Sequence, residues 1–68
     1  MNKELLIREM RKAGISIKEM CSMLSISRSA FYRKCNGISE FTLSEIQKII
    51  NFLNIDSPME IFFANKVS

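Results

Sequence analysis

Helix-start signals recur through this chain at intervals too short for anything but a set of short helices. Two are full capping boxes, Ser16-Ile17-Lys18-Glu19 and Thr42-Leu43-Ser44-Glu45. In such a box the hydroxyl of the first residue accepts from the backbone N–H three residues on, and the glutamate accepts from the N–H of the first. Two donors that a helix start leaves unpaired are satisfied together. Apolar side chains bracket each box at hydrophobic-staple spacing, Ile15 with Met20 and Phe41 with Ile46. Asn2 and Ser27 are further N-caps, the second with Ile26 and Phe31 as its staple. Ser57 is followed by Pro58, whose missing N–H costs nothing in the first helical position, and by Glu60. Gly14 and Asn36-Gly37 stand where the first and third helices end. The expectation is an all-α chain of five short helices. No segment alternates with period two between turn signals, and only a tail after Asn65 reads as extended.

At 68 residues the chain is read as one domain over 1–68, near the lower limit for a core without staples, with no room for a deep catalytic cleft. It contains no histidine, which removes the commonest general base and the Ser-His and Cys-His nucleophile pairs. Cys21 and Cys35 are too few for a disulfide scaffold or a four-ligand zinc site, and neither Cys35 nor Ser29 has an evident activating base. The expectation is therefore no catalytic residue, no metal and no cofactor. The segment Met1 to Arg11 is interrupted by charges, unlike a signal peptide, and no stretch approaches the length of a membrane span. A cytoplasmic protein without a membrane partner or small-molecule ligand is expected.

Only Ser25 and Ile26 separate the end of the second helix, near Leu24, from the cap of the third at Ser27. So short a joint makes two helices cross steeply, the geometry of a helix-turn-helix over about residues 16–37, whose second helix projects toward a DNA major groove. Met20, Leu24, Ile26 and Phe31 are expected to face inward. Cys21, small enough for a close helix crossing, is expected to be an inert buried side chain. Leu43, Ile46, Ile50 and Leu53 are the expected core residues of the fourth helix.

The run Ser16 to Ser29, continued by Ala30-Phe31-Tyr32-Arg33-Lys34 and Asn36-Gly37, resembles the Cro and phage-repressor type of helix-turn-helix DNA-binding domain over about residues 5–63. With Glu40-Phe41-Thr42 it is similar to a subgroup common in phages and prophages of low-GC Gram-positive bacteria. The resemblance implies a compact five-helix, lambda-repressor-like fold and a reading helix that begins at Ser27 and presents Arg28, Ser29, Tyr32 and Arg33 to DNA. Helical spacing agrees, since 28, 29, 32 and 33 share one face while Ala30 and Phe31 turn away. Arginine can offer a bidentate fork to guanine or grip a phosphate. Ser27, Lys34 and Asn36 complete the candidate set at the ends of this helix. Lys18 is a candidate phosphate contact at the start of the second helix. Four positions depart from the family pattern: Ile17 replaces a frequent glutamine, Ser25 a left-handed glycine, Lys34 an apolar residue, and Glu40 a basic loop residue.

The net charge of +3 is unevenly spread. Residues 1–34 hold eight basic side chains against Glu4, Glu9 and Glu19, a balance of +5, whereas residues 35–68 hold Lys48 and Lys66 against four acidic ones, a balance of −2. The basic excess travels with the helix-turn-helix, as a double-stranded DNA partner requires. The second half, 42–64, is assigned to core and dimerisation. Its cluster Ile61, Phe62 and Phe63 is too dense for one face of a short helix, so a homodimer reading palindromic half-sites is expected. The alternative use of such a tail is as a protein-interaction module, an antitoxin or adaptor on the same fold.

Overall fold

Each expected cap of the first four helices forms. In the computed structural model, which describes residues 1–63, α1 spans Lys3–Ala13, α2 Ile17–Leu24, α3 Arg28–Cys35, α4 Leu43–Leu53 and α5 Pro58–Phe62. Among the described residues there is no strand, and the tail after Asn65 lies outside them. The Asn2 side chain accepts from the Leu5 N–H at 3.1 Å, and the Ser27 hydroxyl from Ala30 N–H at 3.1 Å. Both boxes close reciprocally: Glu19 N–H donates to the Ser16 hydroxyl and Ser16 N–H to Glu19, at 3.1 and 2.8 Å. Glu45 and Thr42 exchange the same pair of bonds at 3.1 and 2.9 Å. Ser57 does not repeat this. Its side chain makes no cap bond, and α5 starts instead on the preset backbone of Pro58, with Ile61 anchored in the core.

The helix ends follow one rule. Gly14, Ser25, Gly37 and Asn54 all have positive φ, and each is followed by an isoleucine. The N–H of Ile15, Ile26, Ile38 and Ile55 returns to the carbonyl five residues back, which caps orphan carbonyls of the last turn. Ile15 and Ile26 are half-buried and Ile55 is buried, whereas Ile38 is 72% exposed. At Ser25, with φ 59 and ψ 42, a side chain bears the left-handed conformation that glycine would take without strain.

The core is one cluster drawn from all five helices: Leu6 and Met10 from α1, Met20, Cys21 and Leu24 from α2, Phe31 and Cys35 from α3, Ile49 and Leu53 from α4, Ile61 from α5, with Ile55 between the last two. No polar or charged residue of the described chain is buried among them. Phe31 is fully buried and meets Phe41 edge-on at 6.1 Å, and Phe41 meets Phe62 in the same way at 6.1 Å. The backbone N–H of Asn2 donates to the Ile61 carbonyl at 2.7 Å, tying the start of α1 to α5. Of the four core residues expected of α4, only Leu53 is buried, and Ile46 and Ile50 are half-buried. Leu43 is 78% exposed, and Ile49 is the fully buried residue of α4. At about 100° per residue, Leu43 falls at the margin of the stripe formed by Ile46, Ile49, Ile50 and Leu53. It also sits in the first turn, where half-buried Phe41 covers the core instead.

Candidate nucleic-acid interface

The joint between α2 and α3 is Ser25-Ile26-Ser27. Ser25 turns the chain, Ile26 packs against the core and Ser27 caps α3, so each residue has one local task and α3 starts at once. Cys21 of α2, 6% exposed, belongs to the same buried cluster as Phe31 and Cys35 of α3. Burial pushes the Cys21 thiol up, opposed by the charge of Arg28. Burial likewise pushes Cys35 up to about 11, with Lys3 pulling it down and Cys21 adding to the rise. Both thiols stay protonated at neutral pH, the inert state expected of small apolar side chains rather than of nucleophiles.

With Phe31 and Cys35 turned inward, Arg28, Ser29, Tyr32 and Arg33 are left together on the outer face of α3, all exposed. Among the described residues neither arginine forms an ion pair. Their guanidinium groups need give up no protein partner to meet a phosphate or a base edge. The Tyr32 ring, 43% exposed, rests edge-on against Phe31 at 6.1 Å, so this side chain has a supported position. Ser27 is exposed; its oxygen accepts from Ala30 N–H, and its own O–H can still be donated outward. Lys18 is exposed in the first turn of α2, while Ile17 beside it is half-buried against the core.

Two of the candidate residues are placed differently. Lys34 does not join the outer face. Its Nζ lies 2.9 Å from Glu45 Oε1, donates at 3.4 Å to the Glu40 carbonyl and sits 5.8 Å from the centroid of the Phe41 ring. Only about 15% of its side chain is exposed, so the charge is spent on α4 and the loop rather than offered to DNA. Asn36 is exposed at the end of α3, but its Oδ1 accepts from Lys3 Nζ at 3.0 Å. That bond brings Lys3, which sequence reasoning did not single out, to the end of α3. Nothing in local sequence signals a pair 33 residues apart. The exposed Ile38 was likewise not singled out; the left-handed Gly37 before it was the one available cue.

Of the candidate interface cluster, Ile61 is 3% exposed and belongs to the core of its own chain. Phe62 is half-buried against Phe41, and Phe63 is 46% exposed. One five-residue helix cannot turn all three the same way, and Ile61 takes the inward place. Phe62 and Phe63 border an open groove of about 360 Å³, shared with Met1, Phe41 and Ile46 and with Glu40 of the α3–α4 loop. No described helix is long and apolar enough to cross a membrane.

The family profile described as Cro/C1-type HTH DNA-binding domain matches residues 6–66. Comparisons with curated proteins and with solved structures returned no match. Five helices around one core among the described residues, a three-residue joint between α2 and α3, an exposed basic face on α3 and a profile that runs through nearly the whole chain agree: this protein belongs to the Cro/C1-type helix-turn-helix DNA-binding family.

Proposed function

We propose that the protein is a sequence-specific double-stranded DNA-binding transcriptional regulator of the phage or prophage Cro or repressor kind, acting in the cytoplasm as a homodimer on palindromic half-sites. The observation that carries this reading is the outer face of α3, where Arg28, Ser29, Tyr32 and Arg33 are exposed and the two arginines lack protein partners among the described residues. Bidentate contact of arginine with guanine is the commonest specific contact in the major groove. In this reading Arg28, Ser29, Tyr32 and Arg33 read bases, Ser27 and Lys18 contact phosphates, and Asn36 marks the end of the footprint.

Selection of bound duplexes from a random pool tests it. The expected product is a two-fold repeated motif with half-site centres about one helical turn apart. A pool with no enriched motif would remove the proposal. Lys18→Ala should weaken binding to all sequences alike and lower the salt slope by about one.

The exposed Phe63 and its groove favour a second reading, a protein-interaction module on the same fold. Sedimentation of the parent and of Phe63→Glu separates the two. A parent dimer that dissociates in the variant supports the homodimer, whereas a monomeric parent that binds no duplex and copurifies with a stoichiometric protein favours the module.

A further inference from the structure

Both turns of α3 carry reading residues, but they are held differently. The first turn, with Arg28 and Ser29, is fixed by the Ser27 cap and by packing of the helix on α2. The last turn, with Tyr32 and Arg33, leads into a loop that folds back on it: the Arg33 carbonyl accepts from Ile38 N–H at 2.9 Å and Ser39 N–H at 3.2 Å. Beyond these backbone bonds, the ammonium of Lys34 joins three elements at one point. It reaches the Glu40 carbonyl in the loop and Glu45 Oε1 in the first turn of α4. The same Oε1 accepts the Thr42 N–H at 2.9 Å, so the α4 cap and the ion pair share an atom. Both side chains are about 15% exposed, where a charge-assisted bond is screened far less than on an open surface.

We propose that Lys34 and Glu45 are positioning residues for DNA recognition: their ion pair sets the orientation of the last turn of α3, and with it the bases read by Tyr32 and Arg33, without touching DNA. This rests on the DNA-reading function proposed above. Removing one partner of such a pair strands the other charge and lowers stability, but a lysine that merely stabilised the fold would leave the base preference of the folded chain unchanged. A lysine that contacted phosphate would affect all sequences equally.

The test compares the motifs selected by the full chain and by Lys34→Met, Lys34→Arg, Glu45→Gln, Arg28→Ala and Arg33→Ala, at a temperature where circular dichroism shows each to be folded. Methionine keeps the apolar stem over Phe41, and in Glu45→Gln the side-chain amide oxygen can still cap Thr42 N–H. Should one of these two fail to fold, the other carries the comparison. The expected result is that Lys34→Met and Glu45→Gln each relax preference by roughly tenfold at the base positions that Arg33→Ala also loses. Positions lost in Arg28→Ala should keep their preference, and Lys34→Arg should restore the parent motif. An unchanged motif in Lys34→Met and Glu45→Gln, or an equal loss over every sequence, overturns the positioning role and leaves the DNA-reading function standing. A parent chain that selects no motif removes both.

Discussion

The two faces of α3 divide the labour of this molecule. Phe31 and Cys35 on the inner face are 0% and 4% exposed and help to hold five helices on one core. Arg28, Ser29, Tyr32 and Arg33 on the outer face contribute little packing and are the residues proposed to recognise DNA. The residues interleave within eight positions of sequence. Stability and recognition are thus nearly separable by substitution, except at Lys34, which lies on the seam between the faces and is tied to α4.

The largest effect should come from the inner face. Phe31→Ala removes the largest fully buried side chain and should cost about 3–5 kcal/mol. That is enough to unfold most of a domain this small, so chemical denaturation should show little or no native baseline. On the outer face, Arg28→Ala and Arg33→Ala should each weaken binding to the selected site by about 1–3 kcal/mol. Their melting curves should stay close to the parent's, because surface substitutions usually change stability by no more than about 0.5 kcal/mol. Equal losses on selected and random DNA would break the contrast, marking these arginines as phosphate contacts.

Next comes the seam. Burial works against the charge of Glu45, but hydrogen bonds from Lys34 and from Thr42 N–H outweigh it and hold the carboxyl below its ordinary value of 4.5. A depressed folded pKa means that the stabilising contribution is complete above the unfolded value and lost as pH falls through the folded one. Urea titrations should therefore show a loss of stability below about pH 4.5 that is smaller in Glu45→Gln. Identical acid profiles for parent and variant would show that the pair does not contribute.

The smallest effect belongs to the turn that aims the helix. Ser25→Gly relieves the left-handed strain but adds freedom to the unfolded chain, for a net gain of about 0.5–1 kcal/mol. Thermal melting should rise with DNA affinity unchanged. A drop in affinity would show that the serine has a role in recognition beyond the turn.

Most of the secondary structure was legible in the sequence, because an N-cap here is a bond between residues three apart. Ser16 with Glu19 and Thr42 with Glu45 announce their helices whatever surrounds them. The failures occurred where residue type alone did not decide which side chain or backbone is used. Leu43 fits the apolar pattern of α4 marginally, and only the presence of Phe41 over that end of the core shows that it is not needed there. Ser57 has the residue type of a cap but not the backbone, with φ −125 and ψ 69. Lys34 is next to Arg33 and no less basic, yet its charge is turned into the protein.

What the sequence determined by itself is the set of helices, the N-caps of the first four and the outer face of α3, since those follow from hydrogen bonds and side-chain periodicity within a few residues. The tertiary structure alone decided which cations remain free. Lys34 finds Glu45 eleven residues on, and Lys3 finds Asn36 across 33. Such pairs exist only once helices distant in sequence have packed, because a Coulombic partner is chosen by distance in space, and sequence spacing beyond a helical turn carries no information about that distance.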